Sequence, residues 1–362
     1  MRSAIKYFHR NYSNSSFSYT SYKKIISPDI ESKFKSSLRD IVDDICLRRS
    51  YLSFAEVKDK IFKAAEYNAN NGNNPSGIIL LHSYNILDGT ASLATTASHE
   101  AFVLAWAIEM LHSCDILDGL KQSHGDQTRN RSHVDTCHNA NLLRSFSYTM
   151  LEDKCCSHRD ILKFFNKGFL YMALRNHTDL YLTTKSKVDK FVDFNLKNYE
   201  LLSEYKTAYN TFKLPLLLSM QLTRVSDDML LASIDKIGSD LSKLHQMKEE
   251  YEDCFGGESK TYRSAGVNIQ RGKCTWLAVT ALERCTSAQR IVFNSCYGSD
   301  EPAHVERIKL LYERLGIPQL YRDEQGDLCE RIMQVAESIE ESGIPLELFS
   351  KLLDVMCLEK SY

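Results

Sequence analysis

Residues 248–276 read KEEYEDCFGGESKTYRSAGVNIQRGKCTW, an acidic run at helical spacing followed directly by a basic, glycine-containing loop. On a helix Glu249 and Asp253 stand at i,i+4 and Glu250 and Asp253 at i,i+3, so the three carboxylates project to one side. Like charges at that spacing repel unless a cation lies between them, and a ligand set made only of oxygens suits Mg²⁺ or Mn²⁺. Mg²⁺ held by one or two carboxylates generally bridges to a substrate phosphate. Lys260, Arg263, Arg271 and Lys273 then face the other side of that phosphate. The competing reading is a solvated helix end, because acidic clusters are common on helix surfaces.

Working outward, the chain has 362 residues, 43% hydrophobic and 25% charged, enough for a large core. With only 6 Pro and 15 Gly and no run of short alternating strands, a mostly helical single domain is expected. A net charge of −2 gives no electrostatic reason to expect nucleic acid or an acidic membrane surface as partner. Eleven cysteines without a C-x-x-C spacing point to reduced thiols in an intracellular compartment and away from zinc. No apolar run reaches the roughly 18 residues that span a bilayer.

The first 28 residues lack any acid, carry Arg2, Lys6, Arg10, Lys23 and Lys24, and are rich in Ser and aromatics. They read as a mitochondrial transit peptide or as a disordered polar leader of a cytoplasmic protein, with the folded domain over residues 29–362. Phe34, Leu38, Ile41 and Ile45 then recur at helical steps. Residues 68–75, NANNGNNP, read as a loop, 98–117 as an apolar helix, and 119–138 as a polar loop. Helical periodicity recurs at 141–151, 159–173, 188–203, 205–220, 229–251, 276–294, 303–315 and 320–341. An all-α bundle with a site in its central cavity follows.

Several segments resemble the farnesyl diphosphate synthase family of isoprenyl diphosphate synthases. YKTAYNTFKLP at 205–215 is similar to that family's K-T-A-x-x-x-F-x-L-P helix, and EEYEDCFG at 249–256 to its second aspartate-rich motif. NIQRGKCTW at 268–276 is similar to its D-I-Q-D-N-K-C-S-W segment; NANLL at 139–143 and WAIEML at 106–111 add support. The resemblance implies the all-α isoprenoid synthase bundle, usually a homodimer. It implies a prenyl diphosphate bound by Lys206, Thr207 and Lys273, with Arg263 and Tyr209 nearby, through three Mg²⁺ ions, with Mn²⁺ as a substitute. Glu249, Glu250 and Asp253 take the place of the second metal motif. For the first motif the local match is Asp115 and Asp118, which share a helix face at i,i+3; the other reading is that they end a helix.

The departures decide the expected reaction. The family's G-G-K-x-N-R loop aligns with residues 71–76, so its Lys becomes Asn73 and its Arg becomes Ser76; its Arg-Arg pair after the first acidic motif aligns best with Ser123 and His124, with Arg129 or Arg131 as substitutes, and a glutamine near the isopentenyl unit becomes His112. Each lost charge-assisted phosphate contact is worth roughly 1.5 to 3 kcal/mol. Three losses weaken binding of a second diphosphate by orders of magnitude. The expectation is therefore a lyase like the insect terpene synthases derived from this family, which ionises farnesyl diphosphate and releases a sesquiterpene and diphosphate. Phe102, Tyr171, Tyr209 and Phe212 are candidates for the aromatic wall around the cation, with core packing as the alternative role. A chain-elongating prenyltransferase and a catalytically silent partner subunit are the rival readings.

Overall fold

The computed structural model describes residues 22–49, 54–66, 75–89, 96–123, 131–154, 159–189, 191–225, 227–256 and 266–357. Within them, the side chains of residues 23, 96–98, 115–123, 131–137, 153–154, 159, 185–188 and 206–207 fall outside that description. So do Arg263, Lys260 and most of the 68–75 loop.

All regular elements among the described residues are helical, and they pack as one all-α bundle. A 3₁₀ turn, Tyr22–Ile25, is followed by α1 (Pro28–Leu47), α2 (Ala55–Ala65), α3 (Pro75–Asp88), α4 (Thr96–Ser123) and α5 (Arg131–Lys154). Then come α6 (Arg159–Asp189), α7 (Leu196–Ser203), a π-helical segment (Glu204–Lys213), α8 (Leu214–Thr223) and α9 (Asp228–Phe255). The chain continues through α10 (Val267–Arg271), α11 (Trp276–Arg284), α12 (Ser287–Cys296), α13 (Pro302–Arg314), α14 (Ile317–Ile339) and α15 (Glu347–Cys357).

Local chemistry explains the boundaries. Ser27 caps α1, with Pro28 at its first position, and Phe34, Leu38, Ile41 and Ile45 form its buried stripe as their spacing predicts. The packed chain starts earlier than the expected boundary at residue 28, because Tyr22, Ile25 and Ile26 are already buried. The apolar helix expected over 98–117 continues through Gly119 to Ser123, and α5 begins at Arg131, so helix takes much of the polar stretch expected as loop. The expected helix at 188–203 is broken at Phe191, whose φ of 61° turns the chain while its ring packs against Phe194, Phe293 and Tyr297. The stretch 276–294 forms two helices because Thr286 and Gln289 make a reciprocal capping box that starts α12.

The long helix α9 lies at the centre, packed against the π-helical segment, α14, α10 and α11. Its contact with the π-helical segment is close: a Cβ at Gly238 would collide with Lys213 Cγ. Lys213 is buried there and paired with Glu204 at 2.7 Å and Asp235 at 3.0 Å. At the far side Trp106 stacks on Phe34 and donates Nε1–H to the Phe34 carbonyl at 3.0 Å. Buried Glu109 accepts the Gly77 N–H at 2.7 Å, answering one of the unpaired donors in the first turn of α3.

Candidate active site

The C-terminal third of α9 carries the acidic run, and its three carboxylates meet different partners. Glu250 is buried; its Oε2 accepts the Trp276 N–H at 2.8 Å and its Oε1 accepts from Gln246 at 2.9 Å. Asp253 accepts the N–H groups of Val267 at 3.2 Å and Asn268 at 2.9 Å, so it holds the first turn of α10. Glu249 has a side chain 56% exposed and lies 3.3 Å from His245 Nε2. The shared side predicted from spacing is therefore divided: Glu250 and Asp253 are engaged by the 266–276 segment, and Glu249 faces the histidines.

Around Glu249 three helices converge. His245 Nδ1 is 2.9 Å from the Tyr22 hydroxyl. Burial lowers the His112 imidazole to about 4, and the nearby positive charge of Arg175 pushes the same way against the pull of Glu249. The Arg175 guanidinium is itself lowered by burial, while Asp179 and Glu249 hold its charge in place. Thus α4, α6 and α9 contribute His112, Arg175 and Glu249 to one electrostatic neighbourhood.

Beside it, a recess of about 20 Å³ is lined by Arg175, Asp179, Glu250, Asn268, Lys273 and Thr275, among others. Lys273 Nζ lies 3.4 Å from Asp179 Oδ2. Thr275 caps α11 by accepting the Ala278 N–H at 3.1 Å, and Tyr297 donates to the Lys273 carbonyl at 2.7 Å, so the backbone around Lys273 is held from both sides. A recess of that size holds about one water. A larger cavity of about 330 Å³ lies elsewhere, between the Tyr22–Ile25 turn, α1, α3 and α15, away from the acidic run.

The other expected residues divide between the described and undescribed parts. Asp115 and Asp118 stand on α4, and Lys206 and Thr207 in the π-helical segment, where π geometry is common at functional sites; all four side chains lie outside the described residues. Tyr209 is buried and donates its hydroxyl to the Phe164 carbonyl at 3.1 Å. Its ring meets Tyr171 edge-on, with Lys167 Nζ 4.8 Å above it. Phe212 packs on Tyr22 and His245, whereas Phe102 stacks on Phe34. The four candidate aromatics thus belong to three packing clusters.

Oxygen-ligand chemistry can be tested on this geometry. Among the described residues no group of three or more His, Cys, Asp or Glu is placed to hold a metal ion. Glu250 and Asp253 are engaged with backbone amides, so a centre built from all three carboxylates does not fit. Glu249 does fit a Mg²⁺ ion held jointly by one carboxylate and a diphosphate. Arg175, Asp179 and His245 carried no motif; the i,i+4 spacing of Arg175 and Asp179 was the one signal in the sequence that pairs two of them.

Comparison with known proteins agrees with this architecture. The polyprenyl synthetase family model matches residues 58–315. A farnesyl pyrophosphate synthase of Murgantia histrionica is 28% identical over 340 residues, covering 91% of this chain and 82% of that protein. The farnesyl pyrophosphate synthase of Nezara viridula is 26% identical over 336 residues, with the same two coverages. The solved structure of T. brucei farnesyl pyrophosphate synthase superposes with a TM-score of 0.76 at 20% identity, over 89% of this chain and 98% of that one. No described helix is long and apolar enough to cross a membrane. With the family match extending over most of its length, the chain belongs to the polyprenyl synthetase family, the isoprenyl diphosphate synthases that its motifs resemble.

Proposed function

We propose that this chain acts on an allylic prenyl diphosphate, gripping the diphosphate where α6, α9 and the Lys273 segment meet. The observation that carries the reading is the Lys273 ammonium at 3.4 Å from Asp179, beside a recess that Arg175 also lines. Lys273 neutralises phosphate charge and orients the leaving group, and Arg175, lining the same recess, adds a second cation. Glu249 would hold a Mg²⁺ ion together with the diphosphate, and the ion would supply further charge stabilisation to the leaving group.

Prenyl transfer to isopentenyl diphosphate is the first reading, supported by family membership and by relatives named as farnesyl pyrophosphate synthases over nine-tenths of the chain. A terpene synthase is the second reading. Ser76, standing where the family's G-G-K-x-N-R loop carries Arg, is 0% exposed at the start of α3, and His112 sits beside Arg175. A homodimer and mitochondrial import through the acid-free leader are further proposals of the same reading.

The test is incubation of purified protein with Mg²⁺ and geranyl or farnesyl diphosphate, with and without isopentenyl diphosphate, followed by separate analysis of diphosphates and hydrocarbons. A lengthened diphosphate supports transfer. A hydrocarbon formed without isopentenyl diphosphate supports the lyase, and neither product, with no prenyl diphosphate bound, defeats both.

A further inference from the structure

We propose that Arg175 is a diphosphate-contacting residue that, with Lys273, forms a two-cation clamp held ready by Asp179; this rests on the prenyl-diphosphate reading above. Three observations lead there. First, Arg175, Asp179 and Lys273 line one recess, with Lys273 Nζ 3.4 Å from Asp179 Oδ2 and Asp179 one helical turn after Arg175 on α6. Second, Arg175 stands between helices: it feels Asp179 on its own helix and Glu249 on α9, and it acts on His112 of α4. Third, two of the three acidic-run carboxylates are engaged with the amides of Val267, Asn268 and Trp276, which reduces the ligands left for cations at this end.

Lys273 paired with Asp179, and Arg175 within electrostatic reach of the same carboxylate, make an anion site in waiting. A diphosphate carries more charge and more acceptor oxygens than the single Asp179 carboxylate, so it displaces that carboxylate from Lys273 and takes up the planar fork of Arg175. A guanidinium keeps its charge where burial lowers its pKa, which an ammonium in the same place does less readily. The charge that Mg²⁺ brings is thereby supplemented by a resident group of the protein.

The experiment is titration calorimetry of full-length protein with inorganic pyrophosphate and with the unreactive analogue farnesyl thiolodiphosphate, in Mg²⁺ and in EDTA. Arg175→Met is expected to weaken pyrophosphate binding about 10- to 100-fold in both buffers, with Arg175→Lys recovering part of the loss. Arg284→Met, which removes an exposed charge at the end of α11, is expected to stay within about twofold of the unaltered protein. In EDTA, Asp179→Asn is expected to tighten pyrophosphate binding, because the competing anion is gone. Thermal melts of each variant separate loss of fold from loss of binding, and the Lys variant carries the comparison if the Met variant is unfolded. If the unaltered protein binds the analogue and Arg175→Met and Arg175→Lys bind it equally well, the clamp is overturned while the function stands. Equal losses for Arg175→Met and Arg284→Met also overturn it, as bulk electrostatics. If the unaltered protein binds neither ligand, the prenyl-diphosphate reading falls, and the clamp with it.

Discussion

The Glu250 carboxylate accepts the backbone N–H of Trp276 at 2.8 Å, tying the acidic run of α9 to the start of α11. A buried carboxylate in that position is first a structural group: it answers an amide donor that water does not reach, and burial together with Glu250 raises the phenol of neighbouring Tyr199. Glu250→Ala leaves the Trp276 amide unanswered and is expected to cost about 1–3 kcal/mol, measured by urea unfolding. Glu250→Gln retains an acceptor and is expected to cost less. Equal stabilities of the Ala variant and the unaltered protein would show that the bond is not formed in solution.

Neighbouring acids divide the same way. Asp253→Ala removes the acceptor for Val267 and Asn268 and is expected to destabilise the protein by about 1–2 kcal/mol. Glu249→Ala, on an exposed side chain, is expected to leave stability within about 0.5 kcal/mol while weakening Mg²⁺-dependent pyrophosphate binding. Melting curves and calorimetry on the two single variants distinguish them. The reverse pattern would place the metal ligand at Asp253.

A pH dependence follows from His82, which joins α3 to α15 through a 3.2 Å contact between Nε2 and the Leu348 carbonyl. Burial lowers its imidazole from 6.5 to about 4. Between those values the unfolded chain binds more proton than the folded one, so stability falls as pH falls from about 6.5 to about 4 and changes no further through this group below that. A shift of that size is worth about 3 kcal/mol. Denaturant midpoints across this range should be flatter for His82→Gln; an unchanged slope removes His82 as the cause.

Thiol reactivity should follow burial. The Cys254 thiol is pushed up to about 12, and the Cys274 thiol is raised as well, in both cases chiefly by burial. At about pH 8 neither presents appreciable thiolate. Iodoacetamide labelling read by mass spectrometry should therefore spare both in the folded protein and modify both in urea. Rapid labelling of Cys274 would mean that the recess beside it opens in solution.

Restoring the family's arginine at position 76 is expected to fail. Ser76 is fully buried, its hydroxyl has no hydrogen-bond partner among the described residues, and Gly77 beside it lies against Glu109 and Phe34. Ser76→Arg forces a guanidinium into packed surroundings and should lower Tm by several degrees. A gain of isopentenyl diphosphate binding with Tm unchanged would instead favour the transferase reading at that position.

Legibility in the sequence tracked amphipathic period. The helix α1 stands where Phe34, Leu38, Ile41 and Ile45 placed it, and α9, α13 and α14 stand where their stripes did. Missing from that pattern was α3, because Ile78, Ile79, Leu80 and Leu81 are buried all round and show no polar face from which to read a period. The division between α11 and α12 was visible in principle as Thr286 followed three residues later by Gln289. The left-handed turn at Phe191 had no such sign, since aromatic packing from α12 sustains it.

The order of residues alone determined the helical class, the membership in a diphosphate-handling family, and the angular positions of Glu249, Glu250 and Asp253 around α9. Tertiary structure alone decided what each carboxylate does. Helical period sets the direction of a side chain about its own axis, but not which neighbouring segment brings a donor there. Val267, Asn268 and Trp276 arrive from beyond the helix end, and Asp179 reaches Lys273 from a helix 94 residues earlier in the chain.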